Sequence, residues 1–124
     1  RGLIAGSGGL MRLPQRIPRQ IALEYALTGK SMSATEARQW GLVNRLTLAG
    51  GALAGARALA AEISPNGPMA VRMTKRIMAE SPTWPADQQW VRQREILEQV
   101  IASNDAREGS LAFSEKRAPR WTGT

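Results

Sequence analysis

The sequence predicts a mostly α-helical chain, and three observations carry that prediction. Apolar residues recur at helical spacing, as in Leu53, Ala56, Leu59, Ala60 and Ile63, which places them on one face of a 3.6-residue repeat. Ser33 stands three residues before Glu36, the spacing at which two side chains satisfy each other's backbone N–H at a helix start. Glycine or proline punctuates the ends of periodic segments, as at Pro18, Gly29, Gly41 and Pro65-Asn66-Gly67-Pro68, where such residues start and stop helices.

The elements follow in order. Gly6-Ser7-Gly8-Gly9 is too flexible for a regular element, so residues 1–17 read as a loop and a short helix interrupted at Pro14. A helix near 18–28 opens at Pro18, whose missing N–H is not needed in a first turn, and closes at Gly29. The Ser33–Glu36 helix ends at Gly41, and residues 42–46 read as a short strand or extended connector. The Leu53–Ile63 stripe is a helix that breaks at Pro65-Asn66-Gly67-Pro68. Ala70, Met73 and Ile77 give the next apolar face, with Arg72, Lys75 and Arg76 directed elsewhere. A longer helix over 85–102 is expected to bury Trp90, Leu97 and Ile101, with Ile96 and Val100 widening the stripe enough for more than one neighbour. Asp105 and Glu108 repeat the cap spacing and are expected to begin a last short helix, which Pro119 stops.

Composition narrows the chemistry. Over 124 residues, 43% are apolar and 22% charged, the balance of a globular domain. With no cysteine and no histidine, disulfides, thiolate metal sites and imidazole bases are excluded. Carboxylates, hydroxyls, Lys, Arg or backbone groups must supply any reaction. No run approaches the roughly 20 apolar residues that cross a bilayer. A net charge of +7 favours anionic partners, and Arg1, Arg12, Arg16 and Arg19 precede the first acidic residue, Glu24. That stretch is the candidate anion-facing surface, with a solvated face as the alternative. The opening at Arg1, inside a Gly- and Arg-rich stretch, reads as the continuation of a longer chain.

Four features have both a chemical and a structural reading. The glycine loop before Arg12 resembles a phosphate cradle, but it lacks the endings of nucleotide-binding loops, and a close backbone approach is the simpler account. Glu62, Glu80, Glu95 and Glu98 lie among basic partners, and none makes an acid/base pair in an apolar setting. Trp40, Trp84, Trp90 and Trp121 could stack bases, yet they follow helix faces and starts, so packing explains them better. The segment 110–117 has an apolar side and a basic end, which suits a helix C-terminus with or without a phosphate ligand.

As an ordered set the motifs resemble the second half of the crotonase superfamily, the enoyl-CoA hydratase/isomerase family. They are Arg1-Gly2-Leu3-Ile4-Ala5-Gly6-Ser7-Gly8-Gly9 with Arg12-Leu13-Pro14, Ala26-Leu27-Thr28-Gly29, and Ser33-Ala34 with Ala37 and Gly41-Leu42-Val43-Asn44. The closing Asp105-Ala106-Arg107-Glu108-Gly109 with Ala112-Phe113 and Glu115-Lys116-Arg117 is similar to the hydratase terminus. The resemblance implies the C-terminal helical part of a crotonase-like α/β spiral fold. Residues 1–46 would end the core, and 47–124 would form an oligomerisation region.

It also implies a reaction. Water adds syn across a trans-2-enoyl-CoA to give the 3-hydroxyacyl-CoA, with no cofactor, coenzyme A being part of the substrate. Two glutamates act as acid and base, and two backbone N–H groups form an oxyanion hole. By the family pattern one glutamate falls just before Arg1 and the other roughly twenty residues earlier, so the chain alone is expected to be inactive. Gly6 matches the glycine whose peptide group contacts the catalytic water, where a side chain would obstruct. Leu97 and Lys116 match positions that approach the acyl chain and coenzyme A. Ala5 stands where some members carry proline and Leu97 where some carry an aromatic, which leaves acyl-chain preference open. The partners implied are an acyl-CoA and further copies of the chain, as a trimer or a dimer of trimers, in the cytoplasm, with neither nucleic acid nor membrane. Other acyl-CoA isomerases or hydrolases share these motifs. A non-catalytic oligomerisation module and an RNA-binding module are the readings from other classes.

Overall fold

The structure, a computed structural model, describes residues 2–124; Arg1, the first cation of the expected anion-facing stretch, lies outside them. The described residues form α1 (Gly9–Arg12), α2 (Arg19–Thr28), α3 (Ala34–Gln39), α4 (Ala52–Ile63), α5 (Pro68–Glu80), α6 (Gln89–Ile101) and α7 (Asn104–Ser114), with 3-10 turns at Leu13–Gln15 and Ser81–Thr83. No strand occurs among them, so 42–46 is a connector. Among the described residues no helix is long and apolar enough to cross a membrane. Two compact units, Arg1–Ala56 and Arg57–Thr124, divide the chain within α4.

In the first unit, punctuation acts as the sequence predicts. Pro18 caps α2, and Gly29 closes it at φ +65°, its N–H bonded to the Tyr25 carbonyl. Ser33 and Glu36 form the full capping box of α3. Gly41 follows at φ +76°, a backbone conformation that costs glycine little. Ile17, Ala22 and Ala37 are the buried apolar residues, and the Tyr25 hydroxyl on α2 bonds the Glu36 carboxylate on α3 at 2.8 Å. At Gly55 the start of α4 packs closely on Thr47 in the segment before it. A Cβ there would come within 2.7 Å of the Thr47 side-chain methyl.

In the second unit α5 packs on α6 and α6 on α7. Pro68 opens α5 with Gly67 as its cap. The expected helix over 85–102 starts later, at Gln89, for a local reason. Trp84 precedes Pro85 and is extended, with ψ 142°, as the ring of a following proline demands. Residues 85–88 then turn before α6 begins, the Gln88 N–H bonding the Pro85 carbonyl at 2.9 Å.

Two expectations are corrected here. The α6 residue that packs inside is Ile96, 5% exposed, whereas Trp90, Leu97 and Ile101 are 76%, 47% and 63% exposed. The stripe is real, but α5 covers only part of it. The cap of α7 is Ser103 and not Asp105: its hydroxyl accepts from the Ala106 N–H at 3.0 Å. Asp105 and Glu108 lie inside α7, and both bind the chain that follows the helix.

Candidate functional site

The C-terminal end of the second unit concentrates the polar order. Burial pushes the Asp105 carboxyl up, but hydrogen bonds from the backbone N–H groups of Thr122 and Gly123 outweigh it and leave it below its ordinary value. Those bonds are 2.7 Å from Thr122 N–H and 3.1 Å from Gly123 N–H. Arg72 on α5 donates to the Gly123 carbonyl at 3.0 Å. Trp121 lies over two glycines, where a Cβ on Gly109 would stand 3.3 Å from its ring, and its indole N–H donates to the Pro65 carbonyl at 2.7 Å. The tail is therefore strapped to α5 and α7. Beside it opens a groove of about 510 Å³ whose walls include Ala70, Val100, Ser110, Phe113 and Trp121.

Just before the tail, the Arg117 guanidinium grips Glu108 in a fork, at 2.6 and 3.0 Å, and reaches Glu115 at 2.6 Å. The Arg117 pair, followed by the Arg120 N–H, draws the Glu108 carboxyl down to about 2. Lys116 stands between Glu115 and Arg117 at φ +54°. Its side chain is exposed and has no acidic partner among the described residues.

The other two residues singled out from sequence lie elsewhere. Leu97, 47% exposed, lines a groove of about 150 Å³ between α5 and α6 with Met73, Ile77 and Val100. Gly6 belongs to the first unit, in a turn before α1. A Cβ on Gly6 meets nothing within 4 Å, so no described atom of this chain requires glycine there. Arg12 folds back on the loop, its guanidinium donating to the Ser7 carbonyl at 2.7 Å. That contact ties the loop to α1. Sequence reasoning missed Asp105, Glu108, Arg117 and Trp121 as a connected set. Their partners lie 9 to 56 residues apart, a separation no helical period encodes.

Comparison with known proteins connects these residues to a family. The model of the enoyl-CoA hydratase/isomerase family matches residues 1–124, and the chain belongs to that family. It is 38% identical over 126 residues to the carnitinyl-CoA dehydratase of Proteus mirabilis (strain HI4320), covering 98% of this chain and 48% of that protein. Its structure superposes on the crystal structure of an enoyl-CoA hydratase from Mycobacterium tuberculosis H37Rv with a TM-score of 0.93 and 56% identity, over 100% of this chain and 49% of that one. For an enoyl-CoA hydratase from Bacillus anthracis the TM-score is 0.90 at 34% identity, over 99% and 48% of the two chains. The chain spans about half the length of the relatives it matches.

Proposed function

We propose that this chain works as the C-terminal, coenzyme A-facing half of an enoyl-CoA hydratase, which adds water to a trans-2-enoyl-CoA to give the 3-hydroxyacyl-CoA. The observation that carries the proposal is the likeness to the M. tuberculosis hydratase, 56% identical over the whole of this chain. In this reading the acid and base glutamates and the oxyanion donors belong to the other half. This half binds and orients. The Gly6 peptide group contacts the attacking water, Leu97 meets the acyl chain, and Lys116 offers its ammonium to a phosphate of coenzyme A. No separate cofactor takes part. Trp90 and Ile101, both well exposed, support assembly with further copies of the chain, as a trimer or a dimer of trimers, and the enzyme works in the cytoplasm.

One observation favours a second reading, the 38% identity to a carnitinyl-CoA dehydratase. Loss of water from a 3-hydroxyacyl thioester is the same reaction run backwards, so the same residues would serve. The test joins this chain to the N-terminal half of the M. tuberculosis hydratase and measures turnover of crotonyl-CoA and of carnitinyl-CoA. The expected result is hydration of crotonyl-CoA by the joined protein and none by the 124 residues alone. Turnover by the chain alone within about tenfold of a complete hydratase would refute the division of labour. A preference for carnitinyl-CoA would select the second reading.

A further inference from the structure

Two helices of this chain end in the same closure but with different residues at its critical position. At the end of α3 the Leu42 N–H bonds the Ala37 carbonyl at 2.8 Å and the Gly41 N–H bonds Arg38 at 3.0 Å. At the end of α7 the Arg117 N–H bonds the Ala112 carbonyl at 3.0 Å and the Lys116 N–H bonds Phe113 at 3.2 Å. Both are the paired closure that needs one residue in the left-handed conformation. In α3 that residue is Gly41, and in α7 it is Lys116, the only non-glycine residue with positive φ among those described. The Cβ of a lysine crowds its own carbonyl there. Such a residue persists only where its surroundings over-determine it.

The surroundings that hold Lys116 are its two sequence neighbours and one residue on the helix. Arg117 binds Glu115 through Nε and Glu108 through both terminal nitrogens. A guanidinium engaged along two edges cannot rotate without breaking charged hydrogen bonds. Glu108 also accepts the Arg120 N–H at 2.7 Å, and Arg117 reaches the Ala118 carbonyl at 3.1 Å. The backbone on both sides of Lys116 is thereby tied to the middle of α7. A glycine at 116 would make the turn without any clamp but would carry no charge. The clamp permits a cation where the backbone asks for glycine.

We infer that Glu108 and Arg117 are positioning residues: their fork holds the left-handed turn that fixes the Lys116 ammonium for a phosphate-bearing ligand, the nucleotide end of a coenzyme A thioester. The inference rests on the proposed contact between Lys116 and coenzyme A. It adds a cause for the place of that cation, and it assigns a positioning role to two residues whose side chains bind each other.

The experiment uses the isotope-labelled chain in solution at low ionic strength, with two readouts. Amide hydrogen exchange at Lys116 and Arg117 reports the turn, and titration with 3′-phosphoadenosine 5′-diphosphate reports the cation. E108Q is expected to speed exchange of both amides by about tenfold or more and to weaken the nucleotide several-fold, with the amide pattern of α5 and α6 retained. R117K, which keeps the charge and loses the fork, gives the same result should E108Q not fold. In a K116A background, E108Q is expected to weaken the nucleotide no further, as for a residue acting through another. Unchanged exchange at 116 and 117 in both E108Q and R117K overturns the clamp. An equal loss of nucleotide affinity with and without Lys116 overturns the positioning role. If K116A binds the nucleotide as wild type does, or wild type shows no saturable shift, the coenzyme A contact itself fails, and that outcome is distinguished from failure of the clamp by the exchange data.

Discussion

The Tyr25 hydroxyl on α2 donates to the Glu36 carboxylate on α3 at 2.8 Å, so the residue that caps one helix also ties it to another. Glu36 further accepts from the Ser33 hydroxyl at 2.6 Å and the Ser33 N–H at 2.8 Å. The Ser33 hydroxyl, then the Ser33 N–H, then Tyr25 hold its carboxyl down at about 2, against 4.5 for an ordinary glutamate. The same bond raises the Tyr25 phenol.

A pH dependence follows from that pairing. A carboxyl whose folded value is depressed contributes stability that is complete above 4.5 and is lost as pH falls toward about 2, because protonation then favours the unfolded chain. Glu108, also at about 2, contributes in the same window. Urea unfolding followed from pH 7 downward should show stability falling through that interval, and Glu36→Gln should be less stable at pH 7 with a shallower acid slope. An unaltered slope in Glu36→Gln would remove the capping box as its source.

The tail should come free when Asp105 loses its charge. Asp105→Asn replaces one accepting oxygen with an N–H donor that faces the Gly123 N–H, now held at 3.1 Å by both oxygens. The expected result is rapid exchange at Thr122 and Gly123 and a shifted Trp121 indole resonance, since that N–H would leave the Pro65 carbonyl. An unmoved indole signal would show that Trp121 holds the tail without the carboxylate.

Much of the helical order was legible because its signals are local. Gly29, Gly41, Pro68 and the Ser33–Glu36 pair act within one turn of their own positions, and the structure places them as the spacing predicts. Most of the failures come from distant partners, whereas the late start of α6 is set locally at Pro85. Asp105 and Glu108 have cap spacing, but Thr122 and Arg117 claim them, and Ser103 takes the cap. In α6 the period gave a stripe without saying which side α5 covers, so Ile96 is inside and Trp90 is not. The family motifs revealed Lys116 as a candidate, yet nothing about a lysine predicts a left-handed backbone.

Self-association is the expected outcome of the open α6 face. Trp90, Leu97 and Ile101 are all at least 47% exposed, a cluster of apolar surface larger than scattered residues give. Sedimentation across a wide concentration range should show reversible growth in mass, and Leu97→Asp should weaken it. A compact monomer at every concentration would count against an oligomer-forming face.

Lys116→Gly separates the backbone from the charge at the one position where they conflict. The left-handed conformation costs a side-chain-bearing residue roughly 1–2 kcal/mol, and the extra freedom of glycine in the unfolded chain gives back about 0.4–1 kcal/mol. The variant should therefore be more stable than wild type by about 0.5–1 kcal/mol in urea unfolding at neutral pH. Binding should move the other way. In a complete hydratase carrying this chain, loss of the ammonium should raise KM for the coenzyme A thioester by roughly threefold to tenfold at low salt, while kcat stays near wild type, because the contact is remote from the reacting carbons. Lys116→Ala should raise KM equally without the gain in stability, since alanine keeps the Cβ that strains the turn. If glycine raises stability and leaves KM unchanged, Lys116 is a helix-end charge on a strained turn and has no part in holding coenzyme A.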